Sequence, residues 1–140
     1  MQLPPSLALD IPVAEKFLST MRSYLGDAAI ALEPRHASWF TSESNTLLAK
    51  WRVARVLADP ARAASGGVPG GWPGLIYCRL HGSPREYYSS YESTLIRALA
   101  ERLAAAKSEA KNVWCVFDNT ASGAATDNAL DLQQLLIAPQ

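Results

Sequence analysis

The sequence predicts an α/β protein in which parallel strands alternate with helices. Three short apolar runs carry that prediction, each breaking at once into a polar cluster. Residues 28–32 run into Glu33-Pro34-Arg35-His36-Ala37-Ser38-Trp39, and residues 75–78 into Arg79-Leu80-His81-Gly82-Ser83-Pro84-Arg85-Glu86-Tyr87-Tyr88. Residues 113–117 run into Asp118-Asn119-Thr120-Ala121-Ser122-Gly123. Short runs that are apolar throughout suit strands buried on both faces, and the polar ends of such strands are where α/β proteins build sites. The second observation is that stretches with apolar residues at helical spacing lie between the runs.

Each element follows in order. Gln2-Leu3-Pro4-Pro5 reads as the end of a strand whose beginning is absent. Val13, Phe17, Leu18, Met21 and Leu25 mark a helix over residues 13–25, with a capping residue and a proline in Asp10-Ile11-Pro12 and a stop at Gly26-Asp27. After the strand at 28–32, Ser42 or Ser44 can cap a helix to about Lys50 and Trp51, and residues 53–58 read as a strand ending in Asp59-Pro60. Residues 61–74 contain Gly66-Gly67, Pro69-Gly70-Gly71 and Pro73-Gly74, a density that excludes a regular element and predicts a surface loop. A loop of that length is usually functional or mobile. Residues 75–80 form the next strand. Ser93 or Thr94 starts a helix to about Ala106, with Leu95, Leu99 and Leu103 on its apolar stripe and Arg97, Glu101 and Lys107 on its wet side. The last strand spans 113–117 and the last helix 124–136.

Composition sets the outer limits. With 140 residues, 49% hydrophobic and 19% charged, the chain lies outside the disordered regime and is expected to form a single domain over residues 1–140. Thirteen basic residues balance thirteen acidic ones, so no global field holds a polyanion or an anionic membrane surface. No apolar stretch approaches the roughly 20 residues that span a bilayer, and no signal-peptide layout opens the chain, which makes the cytoplasm the default location. Cys78 and Cys115 each sit in an apolar run, without the close spacing of a zinc site, and read most simply as buried free thiols; the alternative is a disulfide or redox pair.

Several motifs occur together and in register: Gln2-Leu3-Pro4-Pro5-Ser6, Glu33-x-Arg35-His36-x-Ser38-Trp39-Phe40, Ala58-Asp59, Tyr77-x-Arg79-Leu80-His81-Gly82 with Tyr87-Tyr88, and Phe117-Asp118-Asn119-Thr120-x-x-Gly123. In this order they resemble the YecE-like "domain of unknown function 72" family over essentially the whole chain. Pro34 stands where an aromatic often precedes the arginine, and Ala37 where a proline often follows the histidine. The resemblance implies an architecture similar to a (β/α)8 TIM-type barrel, of which this chain looks like the C-terminal portion, about strands four to eight, with the first three strands missing. Five strands cannot close at barrel tilt and shear, so the Gln2 edge and the 113–117 strand would be left open. Such edges invite self-association or pairing with a missing N-terminal barrel portion.

Alternation along a strand gives Glu33 and Arg35 one parity and Arg79 and His81 one parity. If these face inward, a carboxylate, two guanidinium groups and an imidazole meet over one barrel mouth, able to bind an anion through arginine and to move a proton through His81. The same groups can instead form a buried ion-pair network that closes the barrel top without chemistry. His36 reads equally as a pocket residue and as a loop hydrogen-bonder, while Trp39 and Phe40 read as rim cover. Tyr87, Tyr88 and Tyr91 can stack on a sugar or base, or simply pack a helix entry. Asp118 is a candidate general base, and Asn119 sits in a turn whose amides can receive an anion. Capping is the better reading of Thr120 and Ser122.

The candidate catalytic residues are therefore His81, Glu33 and Asp118, and the candidate ligand-binding residues Arg79, Arg35, His36, Tyr87, Tyr88 and Asn119. Glu33, His36, His81 and Asp118 are suitable metal ligands by type, but no close spacing supports a metal and none is assigned. No serine elbow, phosphate loop or dinucleotide fingerprint is present, so the cofactor stays unknown. The first functional reading is a barrel enzyme, or part of one, acting on a small anionic or sugar-like ligand. A nucleic-acid-associated barrel using Arg79, Arg85 and the tyrosines is the second, disfavoured by the neutral charge balance. An inactive truncated remnant is the third.

Overall fold

Helices and short, mostly parallel strands alternate through the computed structural model, which describes residues 1–61, 64–107, 110 and 112–137. Helix α1 (Ile11–Leu25) starts as its sequence dictates: the Asp10 carboxylate accepts the Val13 amide at 3.0 Å and Pro12 occupies the first turn. Its far end is secured by a residue the periodicity does not reveal. The Arg22 guanidinium donates to the carbonyls of Gly26, Ala28, Trp51 and Arg52, tying the helix end to the chain on both sides of the next strand.

Strand β1 (Ile30–Leu32) is shorter than the apolar run that predicts it and pairs in parallel with β2 (Val53–Arg55). On its other side Gln2 forms a single parallel bridge to Glu33, the strand-like end expected there. Helix α2 (Ser42–Lys50) is capped by Thr41, whose Oγ1 accepts the Ser44 amide at 3.2 Å, so the cap lies one residue before Ser42. Val56 then hands the chain on. Its amide still donates to the Leu32 carbonyl at 2.8 Å, and the following β3 (Leu57–Asp59) pairs with β5 (Leu75–Leu80) instead of β1. Strand β5 lies between β3 and β6 (Asn112–Phe117), parallel to both. Helices α3 (Ser93–Lys107) and α4 (Ala124–Ile137) complete the alternation.

The helices cover one face of this parallel array. Ala14, Leu18, Leu32, Leu48 and Val53 form the core under α1 and α2, and Cys78, Leu80, Ile96, Leu103 and Leu132 the core under α3 and α4. Alternation sends the intervening side chains to the opposite face, where Ala31, Val56, Tyr77 and Trp114 line an open concavity of about 570 Å³ that Glu33 and Arg79 close at one end. On the 113–117 strand, expected to be left open, Trp114 is 60% exposed. The two cysteines are free, with Cys78 buried and Cys115 only half-buried.

The glycine-rich stretch also departs from expectation. Gly70–Gly71 form a two-residue strand, β4, antiparallel to β2, and Ala64–Gly67 make a 3-10 turn; residues 62 and 63 lie outside the described residues. The glycines that argue against regular structure are what permit this pairing. Gly71 has φ +68°, and a Cβ there would stand 2.5 Å from the Val53 carbonyl oxygen. Beneath β4 the buried Arg55 guanidinium lies over the Phe40 ring, while Asn45 Oδ1 accepts the Gly71 amide at 3.1 Å. Gly71→Ala should lower unfolding free energy in urea by about 1–3 kcal/mol, the cost of a strained backbone. An unchanged midpoint would show that β4 does not need the glycine.

Candidate functional site

The polar cluster forms where β1, β5 and β6 end, on the face without helices. Glu33 follows β1, Arg79 is the penultimate residue of β5, His81 follows that strand, and Asp118 follows β6. Arg79 and His81 share a side because they are two residues apart, and β5–β6 pairing through Leu80 and Phe117 brings Asp118 beside them. Arg79 Nη1 donates to Glu33 Oε2 at 2.5 Å and Nη2 to Asp118 Oδ2 at 2.6 Å. One guanidinium therefore holds two carboxylates from different strands. His81, 1% exposed, places Nδ1 2.8 Å from Asp118 Oδ1 and 2.9 Å from Oδ2, with Nε2 3.7 Å from Glu33 Oε1. Gln2 donates to the same Glu33 oxygen at 3.0 Å, and Arg35 Nε lies 3.6 Å from it.

Electrostatics follow from this crowding. Burial pushes the Glu33 carboxyl up, but the His81 ring facing it, hydrogen bonds from Arg79 and Gln2 and the charge of Arg79 outweigh it, bringing the pKa down to about 2. Burial likewise opposes the Arg79 charge, and Glu33 and Asp118 together raise its pKa above the usual value. The buried atoms Arg35 Nε and His81 Nε2 make no hydrogen bond, so the side of the cluster toward Arg35 has donor capacity unspent.

The surrounding loops fix the imidazole from behind. The His81 amide donates to the Asp59 carbonyl at 2.8 Å. The next amide, Gly82, donates to Tyr91 Oη at 2.8 Å, and that phenol donates to Asp59 Oδ2 at 2.7 Å. Burial first, then the bond to Asp59, push the Tyr91 phenol above its ordinary range. Gly82 has φ +94°, and a Cβ there would meet the Ser89 carbonyl oxygen at 2.9 Å and Asn119 Cβ at 3.1 Å. Asn128 Oδ1 of α4 accepts from the Tyr91 amide at 3.0 Å and from Asn119 Nδ2 at 2.9 Å. Thus the loops after β5 and β6 are pinned to each other and to α4.

The residues singled out in the sequence fall into two groups. Glu33, Arg35, Arg79, His81 and Asp118 converge. Tyr87 joins them at the mouth: its ring meets His81 edge-on at 5.9 Å between centroids, and its backbone is held at φ +69° by hydrogen bonds to His81 and Ala121. Tyr88 stands further out, half-exposed, beneath the Arg85 guanidinium at 3.7 Å. His36 turns to its own loop, with Nδ1 2.9 Å from Ser38 Oγ, and Asn119 is fully buried, donating to Ser89 and Asn128. Trp39 is buried, donating to the Leu7 carbonyl at 3.0 Å. Ser122 donates to the Tyr88 carbonyl at 2.5 Å, bridging the two loops. Asp59, Tyr91 and Asn128 were missed as supports. Asp59 carried a signal as a carboxylate at a strand end and Tyr91 as part of a tyrosine cluster at a helix entry, but neither pattern gives the bond between them; Asn128 shows no local pattern. Among the described residues no group of three or more His, Cys, Asp or Glu is arranged to hold a metal ion, and no helix is long and apolar enough to cross a membrane.

Parallel strands with helices on one face and a charged cluster at the strand ends define an α/β protein. The family described as "Protein of unknown function DUF72" matches residues 1–140, and the chain belongs to it. It is similar to two crystal structures of a DUF72 family protein from Enterococcus faecalis V583. One has TM-score 0.80 at 22% identity, covering 99% of this chain and 58% of that one. The other has TM-score 0.78 at 25% identity, covering 99% and 60%. A DUF72 family protein from Thermotoga maritima MSB8 gives TM-score 0.79 at 22% identity, covering 98% and 56%. The chain thus spans less than two thirds of the length of these neighbours. No curated protein matches it.

The depressed Glu33 pKa sets a pH window. Its stabilisation is fully present above the unfolded value near 4.5 and is lost as pH falls towards about 2. Between pH 6 and pH 3 the native protein should lose roughly 1–3 kcal/mol more stability than Glu33→Gln, measured by urea unfolding at each pH. Parallel pH profiles would contradict the ion pairing.

Proposed function

We propose that this chain is the C-terminal portion of a (β/α)8 barrel and that the cluster at its strand ends is a site for a small anionic or sugar-like ligand, with His81 as the proton-transfer group. The observation that carries the reading is the buried His81–Asp118 pair. Asp118 fixes one ring nitrogen and leaves Nε2, buried and unbonded, on the side where Arg35 Nε is also unspent. An imidazole oriented through one nitrogen, with the other facing Glu33 Oε1 at 3.7 Å and not hydrogen-bonded to it, is an arrangement suited to general acid and base work. Arg79 acts here as a positioning residue, because its two terminal nitrogens are engaged by carboxylates. Arg35 then supplies the charge that faces an anion, and Tyr87 supplies a ring at the entrance.

The barrel reading rests on strand order. Gln2, β1, the β2–β3 run, β5 and β6 follow one another in parallel, and the concave face bearing Tyr77 and Trp114 lies open where further strands would sit. A remaining barrel portion, or a second copy of the chain, is the partner that such a face would take.

A panel of small anions, among them phosphate, sulfate, carboxylates and sugar phosphates, tests the site by thermal shift and calorimetry. The best binder should lose about tenfold or more in affinity with Arg35→Ala. His81→Gln should bind it with altered pH dependence. If neither substitution changes binding, the site assignment fails; salt-dependent binding to oligonucleotides instead would favour the nucleic-acid reading, and no binding at all the inactive one.

A further inference from the structure

Beneath the charged cluster, on the helix-covered face, lie two groups that the proposed site does not use. Cys78 of β5 and Cys115 of β6 are register partners on neighbouring parallel strands. Side chains at such positions project to the same face, and both belong to the core packed under α3 and α4. Neighbouring strands run about 4.7–4.9 Å apart, inside the span of about 4.4–6.8 Å between Cα atoms that a disulfide bridges. The thiols already touch through a side-chain hydrogen bond, which holds Cys78 below its usual pKa and Cys115 above it. Cys78 is fully buried, but Cys115 lines an open groove of about 500 Å³ between α3 and α4, flanked by Lys107 and Gln133. A molecule as small as a peroxide can reach Cys115 along that groove.

We propose that Cys78 and Cys115 are a thiol modification site that a hydroperoxide closes to a reversible disulfide between β5 and β6. Cys115, the sulfur that lines the groove, attacks one peroxide oxygen as the thiolate: an S–O bond forms, the O–O bond breaks, and hydroxide leaves. Cys78 sulfur, its register partner, then attacks the Cys115 sulfenic acid, so that the S–S bond forms and the S–O bond breaks. The hydroxyl leaves as water with the Cys78 proton. The first hydroxide takes up the proton that Cys115 had lost, so two thiols and one hydrogen peroxide yield one disulfide and two waters. A dithiol such as dithiothreitol reverses the change by thiol–disulfide exchange. The bond would lie three residues before His81 on one strand and three before Asp118 on the other, locking the strand pair that carries both. This inference is independent of what the cluster binds.

The test uses the full chain, reduced, exposed to hydrogen peroxide, then denatured and treated with maleimide for intact mass. The expected product is a monomer that has lost two hydrogens and both reactive thiols, and that regains both with dithiothreitol. It should form about tenfold faster in the folded chain than in urea, where the cysteines meet only by chance. Cys115→Ser should lose no hydrogens and instead carry added oxygen or none. Thiols that stay maleimide-reactive, paired sulfinic acids, crosslinks between chains, or an equal rate in urea would each overturn the proposal.

Discussion

A single guanidinium joins parts of the molecule that are far apart in sequence. Arg79 reaches Glu33 at the end of β1 and Asp118 at the end of β6, so the two three-stranded sheets are linked at their polar end by charge as well as by the backbone hand-over at Val56. The Glu33 side chain is 5% exposed, which makes the carboxylate costly without its partners. His81 depends on the same contact. Its ring is seated between two carboxylates whose positions Arg79 sets, its amide donates to Asp59, and the next amide, Gly82, donates to Tyr91.

The helices serve this arrangement from the opposite face. Packing of Ile96 and Leu103 of α3 and Leu132 of α4 against Cys78 and Leu80 supports β5 beside β6, which places His81 beside Asp118. Asn128 carries the same constraint into the loops, since its amide ties Tyr91 and Asn119 to α4. Buried polar groups with their bonds made specify one arrangement of loops more sharply than apolar contacts do. The φ of Tyr87 fits that picture: an unfavourable backbone conformation persists where neighbouring bonds enforce it.

Much of this was legible in the chain. Periodicity located α1 and α4 and the Asp10 cap the start of α1, the apolar run at 75–80 coincides with β5, and strand parity placed Arg79 and His81 on one side; Ser122, read as a cap, instead donates to the Tyr88 carbonyl. Tertiary partners were beyond reach. The open 113–117 strand was expected, but not that Trp114 would be the side chain exposed on its concave face. Gly70 and Gly71 read as breakers because a local pattern does not contain what they pack against: the Arg55 and Asn45 side chains for Gly70 and the backbone of β2 for Gly71. Arg35, His36 and Asn119 looked equivalent as polar strand-end residues. Their different roles depend on which neighbour each loop meets: Glu33 for Arg35, Ser38 for His36, and Asn128 for Asn119.

The dependence of the cluster on Arg79 is measured most directly by a double-mutant cycle. Arg79→Met, Asp118→Asn and the double variant, compared with the native chain by urea unfolding, should give a coupling free energy of about 1–3 kcal/mol. Additive effects within about 0.5 kcal/mol would mean that the two residues sit side by side without supporting each other, and would contradict the account.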